Sequence, residues 1–134
     1  MSKLSEIEGI GESYSTKLEQ ANITTLESLL KTCCDGKGRK EIAEKAGISE
    51  KLILNWVNKA DLARVKGIST QYADLLESAG VDTIPELAQR NPENLQVKMN
   101  EINTAKNLVR NVPSVTQVQD WVSQAGKLPK MVTH

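Results

Sequence analysis

Residues that could carry out catalysis are scarce in this chain of 134 residues. The single histidine, His134, is the last residue, so a histidine-based triad or a histidine metal site lacks its parts. Cys33 and Cys34 are adjacent, which is not the spacing of a redox or zinc motif, and we interpret them as free thiols near a helix end. No P-loop or dinucleotide-binding glycine motif follows a strand-like run. The sequence therefore predicts no enzymatic activity, no metal site and no cofactor.

Two short segments, hairpin 1 (residues 7–11) and hairpin 2 (residues 65–69), offer a different chemistry, which is anion binding by backbone amides. Glycine permits a tight chain reversal and close approach to the backbone. Unpaired N–H groups at the positive end of a helix dipole then form a site that suits a phosphate. The residue at the centre of each turn is isoleucine, which we expect to fill the core. The candidate residues are Gly9, Ile10 and Gly11 in hairpin 1 and Lys66, Gly67, Ile68 and Ser69 in hairpin 2.

Both hairpins belong to an internal repeat. Residues 7–30 align without a gap on residues 65–88, at an offset of 58, with eight identical positions. Residues 48–57 resemble residues 113–122 at an offset of 65, which indicates an insertion of about seven residues around positions 94–111. All four aromatic residues form matched pairs, Tyr14 with Tyr72 and Trp56 with Trp121. These matches predict that the chain contains two copies of one unit.

Helices are the elements that position these turns. Apolar residues recur at three- and four-residue steps, and no segment alternates as a strand would. Thr25 and Thr83 fit helix N-caps, and Asn22 and Gly80 fit the left-handed position that ends the preceding helix. Residues 34–38 are predicted to be a flexible loop. We therefore expect an all-α single domain over residues 1–134, with repeat 1 at about 4–62, repeat 2 at about 63–128 and a flexible tail at 129–134.

The repeated segment resembles the helix-hairpin-helix motif, from its glycine turn through Leu18, Ala21, Ile23, Thr25 and Leu29. The whole duplicated layout also resembles a small bacterial family of tandem helix-hairpin-helix proteins known only as a domain of unknown function. This resemblance implies two hairpin units packed about a pseudo-twofold axis. Relatives of the motif hold a nucleic-acid backbone without reading its sequence. Nucleic-acid-binding versions commonly carry lysine two residues after the second glycine, where this chain has Ser13 and Gln71.

The excess of positive charge lies outside the two segments that contain the hairpins. The chain has 17 basic and 17 acidic side chains, and residues 1–32 and 65–88 carry net charges of −2 and −3. The extensions, residues 33–64 and 89–134, carry +2 and +3. Because nucleic-acid binders draw most of their affinity from Lys and Arg on phosphates, the extensions would have to supply it. The best local patch is Lys37, Arg39 and Lys40, to which Lys106, Arg110, Lys127 and Lys130 are candidate additions.

Residues 42–58 also have the spacing of a helix-turn-helix motif. Its second helix would offer Lys51, Asn55, Asn58 and Lys59 to a DNA groove. The second copy lacks an equivalent of Gly47 but keeps the tryptophan, which favours packing over DNA recognition as the origin of this pattern.

Three partner classes remain open from the sequence. The first is weak, sequence-independent nucleic-acid binding through hairpin 2 and the basic extensions. The second is a protein-interaction or scaffold role in which the hairpins have lost phosphate binding, and the third is a small anionic metabolite bound at a hairpin. No apolar run approaches the ~20 residues that a membrane helix needs, and the N-terminus lacks the apolar stretch of a secretory signal. We therefore expect a cytoplasmic protein of undetermined oligomeric state.

Overall fold

The computed structural model describes Leu4, Ile7 and residues 10–133. This part of the chain contains eight helices and no β-strand, which confirms the all-α prediction. None of these helices is both long and apolar enough to cross a membrane. The helices are α1 (Glu12–Gln20), α2 (Leu26–Cys33), α3 (Gly36–Ala46), α4 (Glu50–Leu62), α5 (Thr70–Ser78), α6 (Ile84–Ala88), α7 (Pro92–Lys106) and α8 (Val115–Lys127).

The chain forms two compact units with separate hydrophobic cores. Unit 1 comprises Met1–Asp61 and Met131–His134, and unit 2 comprises Leu62–Lys130. Helices α1 and α5 both have nine residues and begin 58 positions apart, while α4 and α8 both have 13 residues and begin 65 positions apart. The additional length of unit 2 lies in α7, with 15 residues against 11 in α3, and in the connection that follows it.

The predicted helix boundaries depend on local side chain to backbone hydrogen bonds. The Thr25 side chain accepts a hydrogen bond from the Ser28 N–H, and the Thr83 side chain accepts one from the Glu86 N–H. Asn22 and Gly80 have φ angles of +68° and +93°. These hydrogen bonds confirm the two predicted N-caps, and the positive φ angles confirm the two left-handed residues. The preceding helix thus ends, and the next one begins, at equivalent positions in the two units.

Residues 34–38 are not the flexible loop that the sequence predicts. Helix α3 already begins at Gly36, because the Asp35 carboxylate accepts a hydrogen bond from the Gly38 N–H at 2.7 Å and so acts as the N-cap. Gly38 itself lies against the Thr32 carbonyl, where a side chain would have no room. The glycines therefore allow α3 to approach the end of α2 closely and do not make this segment irregular.

Each core contains one tryptophan that packs against the tyrosine of the same unit. The ring centroids of Tyr14 and Trp56 lie 5.2 Å apart in unit 1, and those of Tyr72 and Trp121 lie 5.3 Å apart in unit 2. Both tryptophans are 2% exposed. The tyrosine lies in the first turn of the helix that follows the hairpin, and the tryptophan lies in the last helix of the unit. The aromatic pair therefore joins the first and last helices of each unit.

A C-terminal segment, Met131 to Thr133, completes unit 1. Val132 is buried in the unit 1 core, and the Thr133 N–H donates to the Cys34 carbonyl at 2.8 Å. The guanidinium of Arg39 donates from Nη1 to the Cys33 carbonyl at 3.1 Å and from Nη2 to the Thr133 carbonyl at 2.6 Å. The structure therefore differs here from the flexible tail that the sequence predicts, because the buried Val132 side chain and the hydrogen bonds of Thr133 to Cys34 and Arg39 hold the segment.

These contacts predict that Arg39 stabilises the fold. Arg39→Ala removes two charge-assisted hydrogen bonds and leaves the buried Cys33 carbonyl without that donor, so we expect a loss of about 1.5–3 kcal/mol in the free energy of unfolding. Urea unfolding followed by circular dichroism measures this loss. Lys40→Ala is the matched control, since Lys40 is exposed on the same helix and its removal should cost less than about 0.5 kcal/mol. Equal effects of the two substitutions would contradict this role for Arg39.

Candidate nucleic-acid interface

Hairpin 1 leaves the start of α1 open to solvent. Ile10 is 4% exposed and its N–H donates to the Ile7 carbonyl at 3.1 Å, so the central isoleucine of the turn fills the core as expected. Gly11 is the N-cap of α1, with a φ angle of −82° and no side-chain cap, and a Cβ added there would meet nothing within 4 Å. Glu12, the first helical residue, is exposed. Gly9 lies outside the described residues.

The Glu12 carboxylate opposes anion binding at this helix start. A carboxylate in the first turn is stabilised by the helix dipole. At 4 Å from a bound phosphate, it would cost about 1 kcal/mol in water and more where water is excluded. Hairpin 1 therefore combines accessible backbone with an unfavourable charge.

Hairpin 2 contains the same isoleucine hydrogen bond as hairpin 1, but side chains of α8 contact its glycine and the backbone of Lys66. Ile68 is 4% exposed, and its N–H donates to the Val65 carbonyl at 3.1 Å, as in hairpin 1. Gly67 has a φ angle of +97°, and a Cβ on it would lie 2.9 Å from Trp121 Nε1. Ser69, the N-cap of α5, accepts a hydrogen bond from the Tyr72 N–H through its side chain. The serine that replaces the last glycine thus occupies one donor that an anion would use.

Gln124 of α8 holds the backbone of Lys66. The Lys66 N–H donates to Gln124 Oε1 at 2.9 Å, and Gln124 Nε2 donates to the Lys66 carbonyl at 3.1 Å. The same Nε2 donates to Asp120 Oδ2 at 2.8 Å. The backbone of Lys66 is therefore fixed, while Lys66 itself is exposed and its ammonium group remains available beside the turn.

The predicted basic patch of Lys37, Arg39 and Lys40 does not form a single surface. Lys37 and Lys40 are exposed near the start of α3. Arg39 is 6% exposed, and its guanidinium donates to the carbonyls of Cys33 and Thr133. Two of the three cations are consequently available to a partner, and the third is structural.

The helix-turn-helix hypothesis is wrong for α4. Asn58 and Lys59, which would have to face a DNA groove, are each 9% exposed. Only Lys51 of the four predicted contact residues is fully exposed. The apolar spacing in this region therefore reflects packing of α4, whose Ile53, Trp56 and Val57 belong to the unit 1 core.

Cys33 is buried and Cys34 is half-buried, and both are free thiols, as predicted. Burial raises the pKa of the Cys33 thiol to about 11, and the positive charge of Arg39 only partly opposes this. Because the thiolate is the reactive form, Cys33 is an unreactive core residue at neutral pH.

A cleft that sequence reasoning did not assign lies beside the start of α5. It has a volume of about 410 Å³. The sequence signals that could have located it are the insertion in the second copy and Arg110, which that insertion contains. The residues that line the cleft are Gln71, Tyr72, Asn107, Leu108, Val109, Arg110 and Asn111.

Comparison with known proteins gives one family match, which covers hairpin 2, the cleft and all of hairpin 1 except Ile7. The model of a family described as "Domain of unknown function (DUF4332)" matches residues 8–128. The chain belongs to the DUF4332 family. The matched region contains all eight of the helices described above. Residues 131–133, which complete unit 1, lie beyond its end. No curated protein and no solved structure matches the chain.

We expect the two hairpins to respond differently to substitution of their glycines. Gly67→Ala places a Cβ against the Trp121 indole at a positive φ angle, so we expect a loss of about 1–3 kcal/mol in the free energy of unfolding. Gly11→Ser is the matched control, because the site is open, φ is negative and serine is a good N-cap. This control should leave stability unchanged or raise it by a few tenths of a kcal/mol, as measured by urea unfolding. Comparable losses in both variants would contradict the difference described between the hairpins.

Proposed function

We propose that the chain is a non-enzymatic protein of two helix-hairpin-helix units that binds the phosphate backbone of nucleic acid weakly and without reading its sequence. The observation that carries the proposal is one backbone hydrogen bond that recurs before the first helix of each unit. The N–H groups of Ile10 and Ile68 donate to the carbonyls three residues earlier at 3.1 Å, and a nine-residue helix begins two residues later in each case. The equal lengths of α4 and α8 further support a duplicated unit.

Helix starts of this kind suit a phosphate because the first N–H groups of a helix have no carbonyl partner within it and the dipole is positive there. Gly11 and Ser69, the N-caps of α1 and α5, are both exposed, so a backbone can approach both positions. The contact is independent of sequence, since phosphates carry no base information.

The charge near the hairpins supports only weak binding. Lys66 provides one exposed cation beside hairpin 2, and Lys37 and Lys40 provide two on α3. Glu12 opposes a phosphate at hairpin 1, and the net charge of the whole chain is zero. Because few phosphates are neutralised, affinity should be modest and should fall as salt rises.

A protein-interaction or scaffold role is the alternative, and one observation favours it. In hairpin 2, the N–H groups of Lys66, Ile68 and Tyr72 are already bonded, to Gln124, Val65 and Ser69 respectively. Donors that are already satisfied within the unit gain less from a phosphate. Under this alternative, the hairpins serve only to hold the helices together.

Fluorescence anisotropy with labelled single- and double-stranded DNA distinguishes the two functions. Backbone binding predicts a dissociation constant of about 1–100 μM at physiological salt, which tightens steeply as salt falls. Lys66→Glu should weaken binding about tenfold, because it replaces an attraction with a repulsion beside hairpin 2. Lys98→Glu makes the same charge change on the exposed face of α7 and should have a smaller effect.

Two outcomes would count against the proposal in different ways. Equal effects of the Lys66 and Lys98 substitutions would remove hairpin 2 as the contact site. The absence of binding by the unmodified protein at low salt would reject nucleic-acid binding and leave the scaffold role.

A further inference from the structure

The cleft of unit 2 is built around a loop whose backbone is held on both sides of Arg110. Asn103 of α7 bonds to both polar atoms of Val109, because its Nδ2 donates to the Val109 carbonyl at 3.0 Å and its Oδ1 accepts from the Val109 N–H at 2.9 Å. On the other side, the Tyr72 hydroxyl donates to the Asn111 carbonyl at 3.0 Å. Val109 is also buried. Arg110, between these two anchored residues, is exposed and lines the cleft.

The lining has the chemistry of an anion site. Of the seven residues around the cleft, Arg110 is the one charged residue, and the lining includes no carboxylate. Gln71, Asn107 and Asn111 add side-chain amides, which can donate hydrogen bonds to oxygen. Arginine presents several N–H donors in a planar arrangement that matches phosphate oxygens. A volume of about 410 Å³ is within the range of small-ligand pockets and exceeds the needs of a single ion.

The loop that carries Arg110 lies in the part of the second copy that is longer than the first. It ends this part, around residues 94–111. In unit 1, the connection between α3 and α4 has only three residues, 47–49, whereas the connection between α7 and α8 comprises residues 107–114. The extra residues thus do more than join two helices, since they place an arginine beside the first turn of α5.

We propose that this cleft binds the phosphate monoester group of a phosphorylated ligand, with Arg110 as its principal contact. The proposal goes beyond backbone binding by the hairpins and is carried by different residues, so each can hold without the other. A phosphate monoester group is present both at a phosphorylated nucleic-acid end and in a small phosphorylated metabolite. The hydrogen bonds of Asn103 and Tyr72 hold the loop in place before the ligand arrives, which lowers the entropy cost of binding.

The first experiment is a titration of the ¹⁵N-labelled full chain with inorganic phosphate, followed by amide and arginine side-chain shifts in NMR spectra. We expect saturable shifts at residues 107–111 and at Gln71. Arg110→Gln should weaken binding at least about tenfold, which corresponds to about 1.4 kcal/mol. Lys98→Gln, the control, removes one positive charge from the same unit at an exposed site outside the cleft lining and should leave the affinity within about twofold.

Saturable shifts at the cleft residues that are lost in Arg110→Gln and retained in Lys98→Gln support phosphate binding in the cleft. Shifts that are absent, that do not saturate, or that both substitutions weaken equally overturn it. Because Arg110 is exposed, its replacement is not expected to unfold the unit, and the dispersion of the amide spectrum of Arg110→Gln verifies this.

A second experiment identifies the source of the phosphate group. A short oligonucleotide with a 5′-phosphate is compared with the same oligonucleotide without it, and a sugar monophosphate is titrated separately. Tighter binding of the phosphorylated oligonucleotide through the cleft supports a nucleic-acid end as the ligand. Cleft binding of the sugar monophosphate alone supports a metabolite, and this result would stand even if backbone binding by the hairpins failed. Binding of neither compound in the cleft overturns the proposal.

Discussion

The contact between one tyrosine and one tryptophan organises each unit. In unit 2, Tyr72 follows hairpin 2 by one helical turn, and its ring packs 5.3 Å from that of Trp121 on the last helix. The Trp121 indole also packs against Gly67, so the turn of hairpin 2 is in contact with the last helix of the unit. The Tyr14–Trp56 pair of unit 1 has nearly the same separation, 5.2 Å. Aromatic side chains provide large buried areas with defined geometry, which suits them to fix helices that are distant in sequence.

The same pair connects packing to the candidate sites of unit 2. Because the Tyr72 ring is held by Trp121, its hydroxyl is in place to bond the Asn111 carbonyl and so to fix the loop that carries Arg110. Gln124, one turn after Trp121 on α8, fixes the backbone of Lys66 in hairpin 2. The position of Arg110 therefore depends on the aromatic contact, and the position of the Lys66 backbone depends on the helix that carries Trp121.

Most features that depend on local sequence could be predicted, apart from the Asp35 cap that begins α3, and features that depend on distant contacts could not. The caps at Thr25 and Thr83 and the left-handed residues Asn22 and Gly80 are set within a few residues of chain, and the structure confirms them. The sequence places Arg39 in a basic patch, but the buried Arg39 donates a hydrogen bond to Thr133, which is 94 residues away in the chain. The cleft could not be predicted for the same reason, since Tyr72 and Asn111 are 39 residues apart in the chain.

The central claim is that the tyrosine and the tryptophan of each unit stabilise it jointly, and a double-mutant cycle tests this directly. The cycle in unit 2 uses Tyr72→Leu, Trp121→Leu and the double variant, and a parallel cycle in unit 1 uses Tyr14→Leu and Trp56→Leu. Urea unfolding should give a coupling energy of about 0.5–1.5 kcal/mol in each unit. Effects that add within about 0.3 kcal/mol would contradict the claim, because they would show that the two rings act independently.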